Sequence, residues 1–130
     1  GAYIGGSILP GAGISMKALA RETALLPAID IVPPKKTIAS NTVDAMKAGI
    51  VFGQAGAIDG TIDRFAAALG REPASIVTTG GMGSVICPHC MHEITIDDTL
   101  LLKGLGIIWK KNAKNKLSNF SDADKNLREI

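Results

Sequence analysis

Ala74-Ser75-Ile76-Val77-Thr78-Thr79-Gly80-Gly81-Met82-Gly83 runs from a β-branched apolar stretch straight into glycines. Its first six residues read as a short buried strand, and the glycines as a turn ahead of a helix. Such a turn lets a nucleotide approach the main chain with no Cβ atom in the way. It matches neither G-x-G-x-x-G nor G-x-x-x-x-G-K-[ST], so a purely structural strand-to-helix turn is an equal reading of the same residues.

Upstream of this stretch, Ser40-Asn41-Thr42 is a strong helix start: Ser or Asn can cap the free N–H groups of the first turn, and Asp44 suits the positive end of the dipole. The spacing predicts a long helix to about residue 69. Gly49, Gly53, Gly56 and Gly60 fall on one narrow face of it. Each glycine costs about 1 kcal/mol relative to alanine, so close packing against that face is expected, either from an intrachain crossing or from a second subunit.

Nearer the N-terminus, residues 3–9 have strand character. Pro10-Gly11-Ala12-Gly13 breaks it, a helix opens at Ser15, and Pro27 stops that helix. The stretch 29–38, around Pro33-Pro34, reads as an edge or extended loop. Downstream, Asp97 and Asp98 precede a helix expected over 99–111, with Leu101, Leu102, Leu105, Ile108 and Trp109 as its apolar face. Residues 113–130 read as a polar tail. This order of strands and helices argues for an α/β protein with an incomplete sheet. The chain opens on Gly1 inside an apolar run, and further strands are expected to precede it.

Hydrophobic residues are 46% of the chain and charged residues 20%, which excludes a disordered or fibrous class. A formal net charge of +2 gives no electrostatic footprint for nucleic acid. Lys103, Lys110, Lys111, Lys114 and Lys116 read as a solvated face. No apolar run is long enough for a membrane span and no leader pattern opens the chain, so a cytoplasmic protein is expected.

Cys87-Pro88-His89-Cys90 has the spacing of a redox dithiol or of half a zinc site. These are the only cysteines, and the only other histidine, His92, crowds against them, so a four-ligand zinc site is not expected. The tetrapeptide also resembles that of the thioredoxin-fold oxidases. No proline follows Pro88 and no βαβ unit precedes the motif, so a chance match is preferred. No Ser–His–Asp set or paired carboxylates can be placed in one cleft.

Taken in order, five stretches resemble the type III pantothenate kinases, of the acetate/sugar kinase, Hsp70 and actin superfamily. Gly5-Gly6-Ser7-Ile8-Leu9-Pro10-Gly11 is similar to the family's G-G-x-I-x-P-G. The run Asn41-Thr42-Val43-Asp44-Ala45-Met46-Lys47-Ala48-Gly49 is similar to N-T-x-x-A-M-x-x-G, and Gly56 through Gly60 with Asp63 to the G-x-x-D-G stretch. Thr79-Gly80-Gly81 is similar to the T-G-G adenosine motif, and Leu100-Leu101-Leu102-Lys103-Gly104-Leu105 to the closing helix.

The resemblance covers about residues 1–112 and is to the C-terminal half of the family's chain. It implies a ribonuclease-H-like, actin-like ATPase lobe and transfer of the ATP γ-phosphoryl group to pantothenate, the first step toward coenzyme A. Magnesium with the nucleotide, a monovalent cation (potassium or ammonium) and a homodimer are implied with it. By position, Thr42 would contact pantothenate, with helix capping as its alternative role, and Gly80 and Gly81 would lie near adenosine. The family's D-x-G-N-[TS] loop, its G-x-D-R segment with the proposed general base, and its D-x-G-T-x motif are not found here. The catalytic carboxylates are therefore expected in a preceding segment and the chain alone is expected to be inactive. A non-catalytic regulatory or binding module of the same fold is the alternative, and a dithiol redox module a more distant one.

Overall fold

Helix α1 spans Ala12–Glu22. Gly11, in extended conformation, opens it, and the Ser15 N–H donates to Gly11 O at 3.0 Å. The helix starts earlier than the expected Ser15 because Ala12 is already packed into the core, 3% exposed. It ends at Thr23, whose hydroxyl donates to Leu19 O at 2.6 Å. The computed structural model describes residues 2–126, with side chains to residue 113.

Helix α2, Thr42–Leu69, carries the first unit. Asn41 caps it: its Oδ1 accepts from the Asp44 N–H at 2.9 Å while its amide donates back to the Asp44 carboxylate at 2.8 Å. Gly70 ends it in the left-handed region, φ 64°. The Gly70 N–H donates to Ala67 O and the Arg71 N–H to Ala66 O, the paired bonds that satisfy a helix's last carbonyls. Met46, Ala48, Ile50, Val51 and Ala55 form its buried side. Ala12, Ile50, Ala55 and Ile86 make the core cluster, with Met16, Ile31, Ile58, Val85 and Cys90 around it.

The glycine face of α2 is bare. A Cβ at Gly49, Gly53 or Gly56 would meet nothing within 4 Å, so the expected intrachain crossing is not found among the described residues. Residues 3–9 do not form a strand either: Tyr3, Ile4 and Ile8 are 90%, 73% and 101% exposed. Strand geometry is stabilised by a partner, and none lies beside them among the described residues. The end of the segment is tied to α2 by a hydrogen bond that the Gln54 side-chain amide donates to Pro10 O at 3.1 Å. Residues 29–38 form an extended loop.

Strand β1, Val77–Thr78, is shorter than the stretch expected from the sequence and less buried, with Val77 47% exposed. Helix α3 (Gly83–Ile86) and a 3-10 turn (Cys87–His89) lead to β2 (Thr95–Ile96), which the sequence analysis did not anticipate. The two strands are parallel, Val77 opposite Thr95 and Thr78 opposite Ile96. Parallel neighbours require a crossover, and residues 79–94 provide it.

Two compact units result, Gly1–Ile96 and Asp97–Ile130. The second is built on α4, Leu100–Asn126. Asp97 organises its start by accepting from the Thr99 N–H and hydroxyl and pairing with Lys103 at 2.7 Å. The Lys103 ammonium, then Thr99, holds the Asp97 carboxyl below its ordinary range. The helix runs past the expected end at Lys111, because no glycine or proline follows Gly106 and Ala113, Lys114 and Lys116 all favour helix. The last part of the polar tail, 127–130, lies outside the described residues.

Candidate functional site

The glycine turn lies where β1 gives way to α3. Gly80 has φ +97°, a conformation that residues with a Cβ rarely adopt, and its carbonyl accepts from the Gly83 N–H at 3.1 Å. Gly83 is buried against Thr78, whose Cγ2 would stand 3.1 Å from an added Cβ. Nothing stands within 4 Å of such an atom at Gly80 or Gly81, so the main chain there faces open space. That space is a cavity of about 340 Å³, lined by the 78–83 backbone, Ile58 of α2, Ile86 and Cys87. Its size is that of a small-ligand cleft. A neighbouring cavity of about 260 Å³, between Gln54, Ile58, Phe65 and Val77, is almost wholly apolar.

Thr42 is the first residue of α2 and is exposed. The capping bond comes from Asn41, so the Thr42 hydroxyl is not spent on the cap, and it has no hydrogen-bond partner among the described residues. It does not join the glycine turn. Sixteen residues of helix separate Thr42 from Ile58, about 24 Å at 1.5 Å per residue.

The crossover beyond the turn is strapped to α2. Phe52 and His89 meet edge to face, ring centroids 5.2 Å apart. The Cys90 thiol faces Ala55 O at 3.8 Å. One Asp59 carboxylate accepts from two successive backbone amides, Met91 at 2.9 Å and His92 at 3.2 Å, and Asp63 pairs with His92 Nε2 at 2.8 Å. In the sequence Asp59 stands out only as the aspartate of the G-x-x-D-G stretch, Gly56 through Gly60, and its bonds to the crossover were not anticipated there.

Both cysteines are free; Cys87 is buried and Cys90 half-buried. Cys87 lines the cavity at the glycine turn. Burial, then the Asp59 charge and the neighbouring Cys87, pushes the Cys90 thiol from about 9 up to about 11. A dithiol oxidant needs a depressed, accessible thiolate, and this geometry opposes one. Alkylation of Cys90 by iodoacetamide at pH 8 is expected to run about a hundredfold slower than in urea, following the fall in thiolate fraction. The folded thiol holds its proton more tightly than the unfolded one, so this group's contribution to stability is complete below about pH 9 and lost as pH rises toward about 11. Equal labelling rates in the two states would contradict this environment. Among the described residues no cluster of His, Cys, Asp and Glu is suited to hold a metal ion, and no helix is long and apolar enough to cross a membrane.

A parallel β-crossover-β unit with a glycine turn open to a cavity defines an α/β protein. The sequence model of the family described as type III pantothenate kinase matches residues 1–64. The chain is 43% identical over 112 residues to the type III pantothenate kinase of Citrifermentans bemidjiense, covering 86% of this chain and 44% of that one. Against the enzymes of the same name from Rubrobacter xylanophilus and Koribacter versatilis the identities are 44% over 118 residues and 42% over 115. Those matches cover 87% and 88% of this chain and 45% and 42% of theirs. The chain is similar to the type III pantothenate kinases over most of its length and spans less than half the length of these relatives. A contiguous match of 112 residues in a chain of 130 includes Thr42 and Gly80-Gly81 wherever it starts.

Proposed function

We propose that this chain is part of a kinase that transfers the ATP γ-phosphoryl group to the hydroxyl of pantothenate, the first step of coenzyme A synthesis. The observation that carries the reading is the 43% identity over 112 residues, which spans both the start of α2 and the glycine turn. The proposed fold of the whole is a ribonuclease-H-like, actin-like ATPase lobe over residues 1–112 with the 113–130 segment appended. The parallel β1–β2 pair and its crossover support it.

In this reading Gly80 and Gly81 lie near the adenosine of ATP, whose approach the absent Cβ atoms allow. Thr42 contacts pantothenate, and its uncommitted hydroxyl at a helix start supports that role for an anionic substrate. The chain's own residues thus bind and orient. The phosphoryl transfer itself rests on charge stabilisation by carboxylates, magnesium and a monovalent cation, potassium or ammonium. Among the described residues no group of three or more His, Cys, Asp or Glu is gathered to hold a metal ion, and we place the ligands of these ions in a preceding segment of the same protein. A homodimer in the cytoplasm completes the proposal, and the bare glycine face of α2 supports a second subunit there.

The test is pantothenate-dependent ADP formation with ATP, magnesium and potassium, by the chain alone and joined to its native upstream segment. Activity only in the joined protein is expected. Turnover by the 130 residues alone would overturn the placement of the carboxylates, and a folded but inactive joined protein would favour the non-catalytic binding module.

A further inference from the structure

We infer that Asp59 is a positioning residue for the nucleotide end of the site, an inference that rests on the reading of the glycine turn given above. The cavity at the turn is lined by Ile86 and Cys87 of the crossover between β1 and β2 and by Ile58 of α2, which packs against the core cluster that contains Ile86. The shape of the cavity therefore depends on how the crossover is held on the helix.

Among the described residues, the hydrogen bonds that join the crossover to α2 all involve residues 90–92. They fall on Ala55, Asp59 and Asp63, which are spaced by four and share one helix face. The Cys90 contact is a weak thiol donor at 3.8 Å, and the Asp63–His92 pair is exposed on the Asp63 side. Asp59 alone receives two main-chain donors on one carboxylate, and charge-assisted bonds of this kind are the strong ones. It sits next to Ile58 in the chain, so the same turn of α2 lines the cavity and anchors the crossover segment that follows Ile86 and Cys87. A small displacement of a binding wall has a large effect on ligand affinity.

Asp59→Asn keeps one acceptor oxygen and turns an amide NH₂ toward the second backbone donor. In the protein carrying its native upstream sequence, KM for ATP is expected to rise about tenfold with kcat within twofold. KM for pantothenate stays within twofold, because Thr42 is about 24 Å away along the helix. A merely structural Asp59 would lower stability without separating the two KM values. Asp63→Asn, which removes only the exposed pair, is expected to change KM for ATP by less than threefold.

Amide exchange at Met91 and His92 reports whether the strap has opened. Faster exchange at both with an unchanged KM for ATP overturns the inference, as does an equal rise in both KM values. If Asp59→Asn fails to fold, Asp59→Glu, which keeps the charge but displaces it, is read in the same way. A wild-type protein that binds ATP without phosphorylating pantothenate overturns the kinase reading alone. The strap is then judged by calorimetry with ATP, where equal affinities of wild type and Asp59→Asn overturn it and an affinity about tenfold weaker in the variant supports it. A wild-type protein that binds no ATP overturns both.

Discussion

Replacing Ile86 with alanine is expected to lower stability by about 2–5 kcal/mol, toward the upper end of that range. Ile86 is 5% exposed and belongs to a cluster in which two of the four buried members, Ala12 and Ala55, are alanines. Alanine has no side-chain torsion with which to collapse into a void, so the hole left by the missing carbons stays largely open. Ile86→Val, which removes a single methylene, is expected to cost about 1 kcal/mol. Urea unfolding reads the difference as a lower midpoint at unchanged slope. A loss below 1 kcal/mol for alanine would show that the cluster does not hold α3 on α2.

The second large effect is expected at Gly80. Its φ of +97° is strained for any residue with a Cβ, and valine, branched at that atom, is among the worst suited. Gly80→Val is expected to destabilise the turn by about 1–3 kcal/mol and, by closing the cavity mouth, to reduce kcat/KM for ATP by a hundredfold or more. Gly81→Ala separates the two causes. Gly81 does not have a positive φ, and its added methyl group would meet nothing within 4 Å, so the fold is spared and only the approach of the ligand is obstructed. Retention of full activity by Gly80→Val would remove the glycine turn from the nucleotide site.

What the sequence revealed was whatever is written locally. The start of α2 was legible because Asn41 caps through a residue three positions away, and its end because Gly70 takes the left-handed conformation that closes a helix. The glycine turn was legible as a turn, though not the tight approach of Gly83 to Thr78. The features that escaped depend on distant partners. Thr95-Ile96 becomes a strand only by pairing with Val77-Thr78, and so short a run leaves no period to read. The 3–9 stretch has the composition of a strand yet pairs with nothing among the described residues, and a strand forms only beside a partner. The bonds to Asp59 come from backbone amides, which any residue type carries, so nothing at Met91 or His92 could announce them. At α4 the polar composition from Asn112 was mistaken for an end of structure, whereas helices are ended by glycine, proline or a competing cap.

The position of α2 between two reaching partners also bears on how the first unit folds. Pro10 reaches Gln54 across 44 residues, while Cys90, Met91 and His92 reach back to Ala55 and Asp59 of the same helix across 32 to 35 residues. Strand pairing between β1 and β2 spans a shorter loop but unites only two residues on each side. The loops that must close are thus anchored on α2 rather than on the sheet, and their entropy is recovered only once the helix exists to receive them. The nucleus of folding is accordingly expected to contain α2 and its buried side, with the crossover condensing later. Gly49, Gly53 and Gly56 on the bare face are expected to lower the helicity of that nucleus and so to slow its formation. A surface kept open on this helix is therefore obtained at the expense of folding speed.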